Sequence, residues 1–142
     1  MKSKLSLLWI FATLNYLYCD VVTLMDPSLL KGFLAGNAGG VPVSQGFLLA
    51  AGVLVEIPMA MAVLSRLLNG SANRWANAGA GTVMTAVQLA SLFVKAPAPY
   101  YLFFSIIEIA TTAVIAWLAG RSSPAAESPR RAARELAPQP RF

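Results

Sequence analysis

Apolar residues fill four long blocks of the chain, separated by short stretches of glycine, proline, asparagine and charge. The first block runs from about Leu5 to Met25 and stops at Asp26-Pro27. The second covers about Gln45 to Leu68, the third about Trp75 to Val94 and the fourth about Pro99 to Ala119. At a rise of about 1.5 Å per residue, about 20 residues cross a hydrocarbon core roughly 30 Å thick, so each block predicts a membrane-spanning helix. The third is the weakest, because Ala76, Ala78, Gly79, Ala80 and Gly81 lower its apolarity, and it is expected to insert paired with a neighbour. The first follows Lys2 and Lys4 as a signal peptide would. It exceeds the usual apolar core of about 7–15 residues and no A-x-A-like site follows, which predicts a retained helix.

The separators carry breaking signals. Gly36-Asn37-Ala38-Gly39-Gly40-Val41-Pro42 reads as a turn-rich connection, and Asn69-Gly70-Ser71 ends the second helix with Asn73 as cap of the third. Lys95-Ala96-Pro97-Ala98-Pro99 is a tight link whose last proline suits a first helical turn. From residue 121 to 142 the chain is mostly proline, serine, alanine and arginine, which predicts a disordered basic tail beyond a membrane domain at 1–120. The expected fold is thus all-α, a four-helix transmembrane bundle with helices at about 5–25, 45–68, 75–94 and 99–119.

Within the blocks, polar residues recur at helical spacing. With about 100° per residue, Tyr101, Ser105, Glu108 and Thr112 share one face of the fourth helix. Gln45, Gly52, Glu56, Met59 and Val63 align on the second. Arg74, Gly81, Gln88 and Lys95 recur every seven residues on the third, with Asn77 and Met84 on the same side. Thr13, Tyr16, Asp20 and Thr23 share a face of the first. Polar faces in lipid turn inward, so the expected core is a polar cavity formed by Asp20, Glu56, Gln88 and Glu108 with Tyr101, Ser105 and Thr112. Pro58, just after Glu56, is expected to free a backbone carbonyl there.

Glu56 and Glu108 fall near the middle of their blocks with no Lys or Arg at the same depth. A charged side chain at the bilayer centre costs about 2.5–3.5 kcal/mol on insertion scales, so such acids mark functional cavities or are neutral hydrogen-bonding groups that join helices. Bonds of the second kind contribute about 0.6–2 kcal/mol each, and glutamine would make them at lower cost. Both readings stay open on the sequence. Asp20, nearer a helix end, reads equally as a site residue or a solvated one.

Composition agrees with lipid as the solvent: of 142 residues 57% are hydrophobic and 12% charged, against about 25% charged in soluble domains. Histidine is absent, which excludes His-ligated haem, the usual zinc and copper sites and His acid–base catalysis. The single cysteine, Cys19, excludes an intrachain disulfide and reads as a small apolar residue, since Leu17-Tyr18 lacks the small residue of a lipoprotein cleavage site. Charge sets orientation. Lys2, Lys4, Arg66, Arg74, Arg121, Arg130, Arg131, Arg134 and Arg141 fall on one side, and Lys31 and Lys95 on the other. Nine against two predicts both termini in the cytoplasm of a multi-pass inner-membrane protein. Trp9, Trp75 and Trp117 read as anchors at the cytoplasmic interface, Tyr100 and Tyr101 at the outer one. The tail arginines are expected to attract anionic lipid.

The segments Asn15-Tyr16-Leu17-Tyr18-Cys19-Asp20, Glu56-Ile57-Pro58-Met59-Ala60-Met61, Ser65-Arg66, Asn73-Arg74-Trp75-Ala76-Asn77 and Tyr100 to Glu108 resemble a family of small bacterial integral membrane proteins of unknown function. That family is in turn distantly similar to the DoxX-like four-helix membrane proteins. The resemblance covers about residues 5–119 and implies a bacterial four-helix membrane protein without assigning an activity or a site residue.

Two functions fit. One is a small proton- or cation-coupled transporter in which intramembrane carboxylates exchange a proton for a substrate. The other is a structural or accessory subunit that binds a lipid or another membrane protein. Enzyme activity is not expected, since there is no histidine, cysteine pair or nucleotide motif. No cofactor is implied, and the expected partners are the lipid bilayer and a membrane protein or homo-oligomer, with no nucleic acid.

Overall fold

Pro27, which cannot donate a backbone hydrogen bond, closes α1 (Lys2–Met25) where the first apolar block ends. The chain then enters a second helix instead of a loop. Asp26 caps α2 (Pro27–Leu34): one carboxylate oxygen accepts the Ser28 N–H at 2.9 Å, the Ser28 hydroxyl at 2.7 Å and the Leu29 N–H at 3.4 Å. At 8 residues, α2 is too short to show in a membrane-length apolar pattern. A small hairpin follows, β1 (Asn37–Ala38) paired antiparallel with β2 (Val41–Pro42). Its turn, Gly39-Gly40, has φ of 61° and 102°, a backbone that only glycine adopts without strain.

Three long helices complete the described structure, a computed structural model that covers residues 2–94 and 97–121. They are α3 (Gln45–Leu67), α4 (Gly70–Val94) and α5 (Pro99–Arg121). The Ser44 hydroxyl caps α3 by accepting the Phe47 N–H at 3.1 Å. Gly70, at φ 54°, reverses the chain within two residues, so α4 starts a turn earlier than the apolar pattern implies. Asn73 is therefore inside α4 and not its cap. Lys95 and residues 122–142, including the basic tail, lie outside the described residues.

The fold is all-helical apart from the hairpin, with α1 packed on both α3 and α5 and α4 packed along α5. Contact between α3 and α4 is slighter. The start of α1, the α3–α4 junction and the end of α5 share one end of the molecule, the terminal end, where the Lys2 ammonium donates to Asn69. The hairpin, α2 and the start of α5 occupy the other, the loop end.

Among the described residues three helices are long and apolar enough to cross a membrane: α1, α3 and α5. Their outward faces carry Leu7, Phe11, Leu17, Leu49, Val63 and Ile106, all exposed, which is the surface expected against hydrocarbon and not against water. The 25-residue α4, whose block is the weakest of the four expected spans, is not in that set. The reason is composition: Asn73, Arg74, Asn77 and Gln88 are polar, and the glycines and alanines between them add little apolarity. Gly81 lies at the closest approach of α4 to α5: an added Cβ would sit 2.9 Å from the Thr112 carbonyl oxygen.

Candidate functional site

Polar side chains gather at three depths. At the terminal end, Asn77 of α4 is fully buried and uses its whole amide. Its oxygen accepts from the Trp9 indole N–H at 2.8 Å and lies 2.8 Å from the Ser65 hydroxyl. Its nitrogen donates to the Asn73 backbone oxygen at 2.8 Å and to the Asn73 side-chain oxygen at 3.0 Å. The Ser65 hydroxyl also lies 2.6 Å from the Met61 carbonyl, and Ser6 donates to the Ala62 carbonyl at 2.7 Å. This node joins α1, α3 and α4. Trp9 is wholly buried in it, which corrects its reading as an interface anchor: the ring packs with Leu5, Met61, Met84 and Ile115, and its one donor is taken up by Asn77. Trp75 and Trp117 are exposed, with the guanidinium groups of Arg74 and Arg121 at 5.6 Å and 4.5 Å from their ring centroids.

In the middle of α5 lies Glu108, 1% exposed, with no hydrogen bond to either carboxyl oxygen. The groups expected to hold it are engaged elsewhere. The Gln88 amide donates to Ser105 Oγ at 2.8 Å, and Tyr101 donates to Ser91 Oγ at 2.8 Å. Thr112 lies 2.8 Å from the Thr85 hydroxyl and 2.9 Å from the backbone oxygen of Glu108. The buried Tyr16 hydroxyl also lacks a partner. Tyr16, Cys19 and Tyr101 are close enough to Glu108 to feel a charge on it, and Glu108 to feel one on Asp20. Among the described residues no cluster of three or more metal-ligating side chains occurs.

At the loop end a cavity of about 510 Å³ opens among α1, α2, the hairpin and the ends of α3, α4 and α5. Phe33, Phe47, Tyr100 and Tyr101 line it, with Thr23 and Ser91 among its polar groups. From its floor, the Tyr101 hydroxyl leads to Ser91, which donates to the Gln88 carbonyl at 2.7 Å. The Gln88 side chain reaches Ser105, one turn from Glu108.

The polar stripes expected on α4 and α5 thus face inward, with Gln88, Ser105, Glu108 and Thr112 buried and Tyr101 half-buried. Glu56 is not brought to them. Its side chain is exposed, because α3 turns Pro58, Met61 and Ser65 toward α1 and α4. Nine residues separate Glu56 from Ser65, about 180° around the helix. Pro58 accordingly faces the packed interior while Glu56 faces out. Asp20 is also exposed, about 60–100° from the Cys19–Thr23 face that α1 buries, so it borders the core without entering it. The inward stripe holds Asn77 and Gly81, but no sequence pattern marks the node around Asn77, whose partners Trp9 and Ser65 come from other helices.

These features define an all-helical protein with three helices able to cross a membrane and an unpartnered acid packed among them. A family model described as "Family of unknown function (DUF6326)" matches residues 1–124, and the chain belongs to that family. No curated protein and no solved structure matches the chain.

Proposed function

We propose that the chain is a four-helix inner-membrane protein, related to the DoxX-like proteins, with both termini cytoplasmic and the loop end outside. Its function in this reading is that of a small proton- or cation-coupled carrier. Glu108 is the exchanging group. The observation that carries the reading is the burial of its carboxyl without a hydrogen bond. An acid kept to join helices would be bonded to the hydroxyls and amide around it, and those groups bond each other or the backbone instead. A carboxyl left this way costs stability wherever the protein sits, and exchange of a proton or cation is a function that repays the cost. The polar chain from the loop-end cavity to Ser105 supplies a route toward it.

The test is infrared difference spectroscopy of the protein in lipid across pH. The expected result is a carboxyl band that gains and loses intensity with bulk pH and is missing in Glu108→Gln, which should remain folded. A Glu108 band that stays constant over the whole pH range of the folded protein would overturn the reading.

Exposure of Glu56 favours a second, compatible role. Nothing lies within 4 Å of a Cβ added at Gly52, one turn away, so another backbone can approach that face closely. A second copy related by a twofold axis along the membrane normal places Glu56 against Glu56 at equal depth. In a Cys19→Ala background, Gly52→Cys should form disulfide-linked dimers on oxidation in membranes, while Val114→Cys on the exposed face of α5 should not. Equal linking by both, or none by Gly52→Cys, rules out this interface.

A further inference from the structure

The loop-end cavity has the chemistry of a site for an organic cation. Its volume of about 510 Å³ falls in the range of small-molecule sites, about 300–1,000 Å³, and its walls are mostly apolar. Four aromatic residues line it: Phe33 from α2, Phe47 from α3, and Tyr100 and Tyr101 from α5. Aromatic faces attract cations through their quadrupole, most strongly when water is excluded. No Lys or Arg among the described residues lines the cavity, and Lys31 on α2 is exposed and outside it. Deeper along α1 and α5 lie two carboxyl groups. Asp20 lies one turn below Thr23 of the lining, and Glu108 lies one turn below Ser105. Neither has an ion-pair partner among the described residues. Among the described residues, an anion entering from the loop end would meet aromatic faces and no cationic side chain to hold it.

We propose that this cavity binds a quaternary or protonated amine with an apolar body, its charge directed to the aromatic faces and the acids beneath them. The assignment deepens the carrier reading, on which it rests, by naming the substrate class. A free organic amine and the ammonium headgroup of a lipid share this chemistry.

The experiment compares benzyltrimethylammonium with its neutral isostere neopentylbenzene, in which carbon replaces the charged nitrogen. Binding to the full chain in nanodiscs is measured by equilibrium dialysis against empty nanodiscs. The cation should bind at least about tenfold more tightly than the isostere. Phe33→Leu and Tyr100→Leu should each weaken it by about 3–10-fold, Phe33→Tyr should keep most of the affinity, and Asp20→Asn should weaken the cation but not the isostere. Displacement by a free amine but not by a short-chain phosphocholine lipid assigns the site to a soluble substrate, and the reverse assigns it to a headgroup. Equal binding of cation and isostere, or affinity unmoved by both leucine variants, overturns the proposal. The infrared titration of Glu108 is read in the same samples. A Glu108 band that follows pH alongside failed cation binding removes the substrate class and leaves the carrier. An unchanging band with intact binding removes the carrier and leaves a binding site.

Discussion

Gly81→Leu is expected to separate α4 from α5 and abolish the folded state in detergent. The Cβ alone would stand 2.9 Å from the Thr112 carbonyl oxygen and 3.1 Å from both the Cβ and the backbone nitrogen of Ala116. Backbone atoms cannot swing aside as a long side chain does, so the helices must part. Parting them breaks the hydroxyl contact of 2.8 Å between Thr85 and Thr112 and opens the most extensive helix pair of the fold. Even Gly81→Ala should cost about 1–3 kcal/mol, the range for overpacking a close contact. Gly79 supplies the control: it is exposed with nothing within 4 Å of an added Cβ, so Gly79→Leu should melt close to the parent. Cys19 provides the readout. It is the chain's one cysteine and is 5% exposed, so a thiol-reactive dye reports its release on unfolding. A Gly81→Leu protein that melts with the parent would mean that α4 and α5 do not approach each other as described.

Asn77→Ala is expected to be the most damaging change of a polar residue. It removes the acceptor of the Trp9 indole and of Ser65, leaves the buried Trp9 donor without a partner, and opens a hole where three helices meet. Interhelical bonds inside membrane proteins are worth about 0.6 kcal/mol on average, and a stranded buried donor costs about 1–3 kcal/mol more. A loss of about 2–4 kcal/mol follows. Trp9→Phe, which deletes the donor and keeps most of the ring, should cost about 1 kcal/mol. The pair should be less than additive, because removing Trp9 Nε1 relieves the orphan that Asn77→Ala creates. Strict additivity in a double-mutant cycle would show that the two side chains do not meet.

Which residues face inward was legible to different degrees on different helices. On α4 the recurrence of Asn77, Gly81, Met84 and Gln88 marked the buried stripe, and on α5 Ser105, Glu108 and Thr112 did the same. Both helices have their polar residues concentrated on one face, so polarity and packing point the same way. On α3 that inference failed. The alignment of Gly52, Glu56 and Met59 is real, but the helix buries the opposite side through Pro58, Met61 and Ser65, leaving the one acid outward. A single polar residue in a long apolar helix defines a direction without defining a neighbour. Trp9 shows the same limit in reverse, since a tryptophan near a helix end reads as an interface anchor until a buried acceptor such as Asn77 is seen to reach it. The helix α2 escaped the apolar pattern because its cap, Asp26, and its proline, Pro27, act over a few residues only.

The lengths and apolarity of α1, α3 and α5 were legible in the amino-acid order, because a hydrocarbon core of fixed thickness demands a fixed run of apolar residues. With no histidine and one cysteine in this sequence, composition also excludes histidine ligation and an intrachain disulfide. The packed helices alone reveal that Glu108 is buried without a partner while Glu56 faces out, and that Tyr101, Ser91, Gln88 and Ser105 bond in series below an aromatic cavity. Those outcomes depend on how each helix is rotated about its axis, and that rotation is set by contacts between residues far apart in the chain, such as Trp9 with Asn77 and Gly81 with Thr112. No local pattern encodes them.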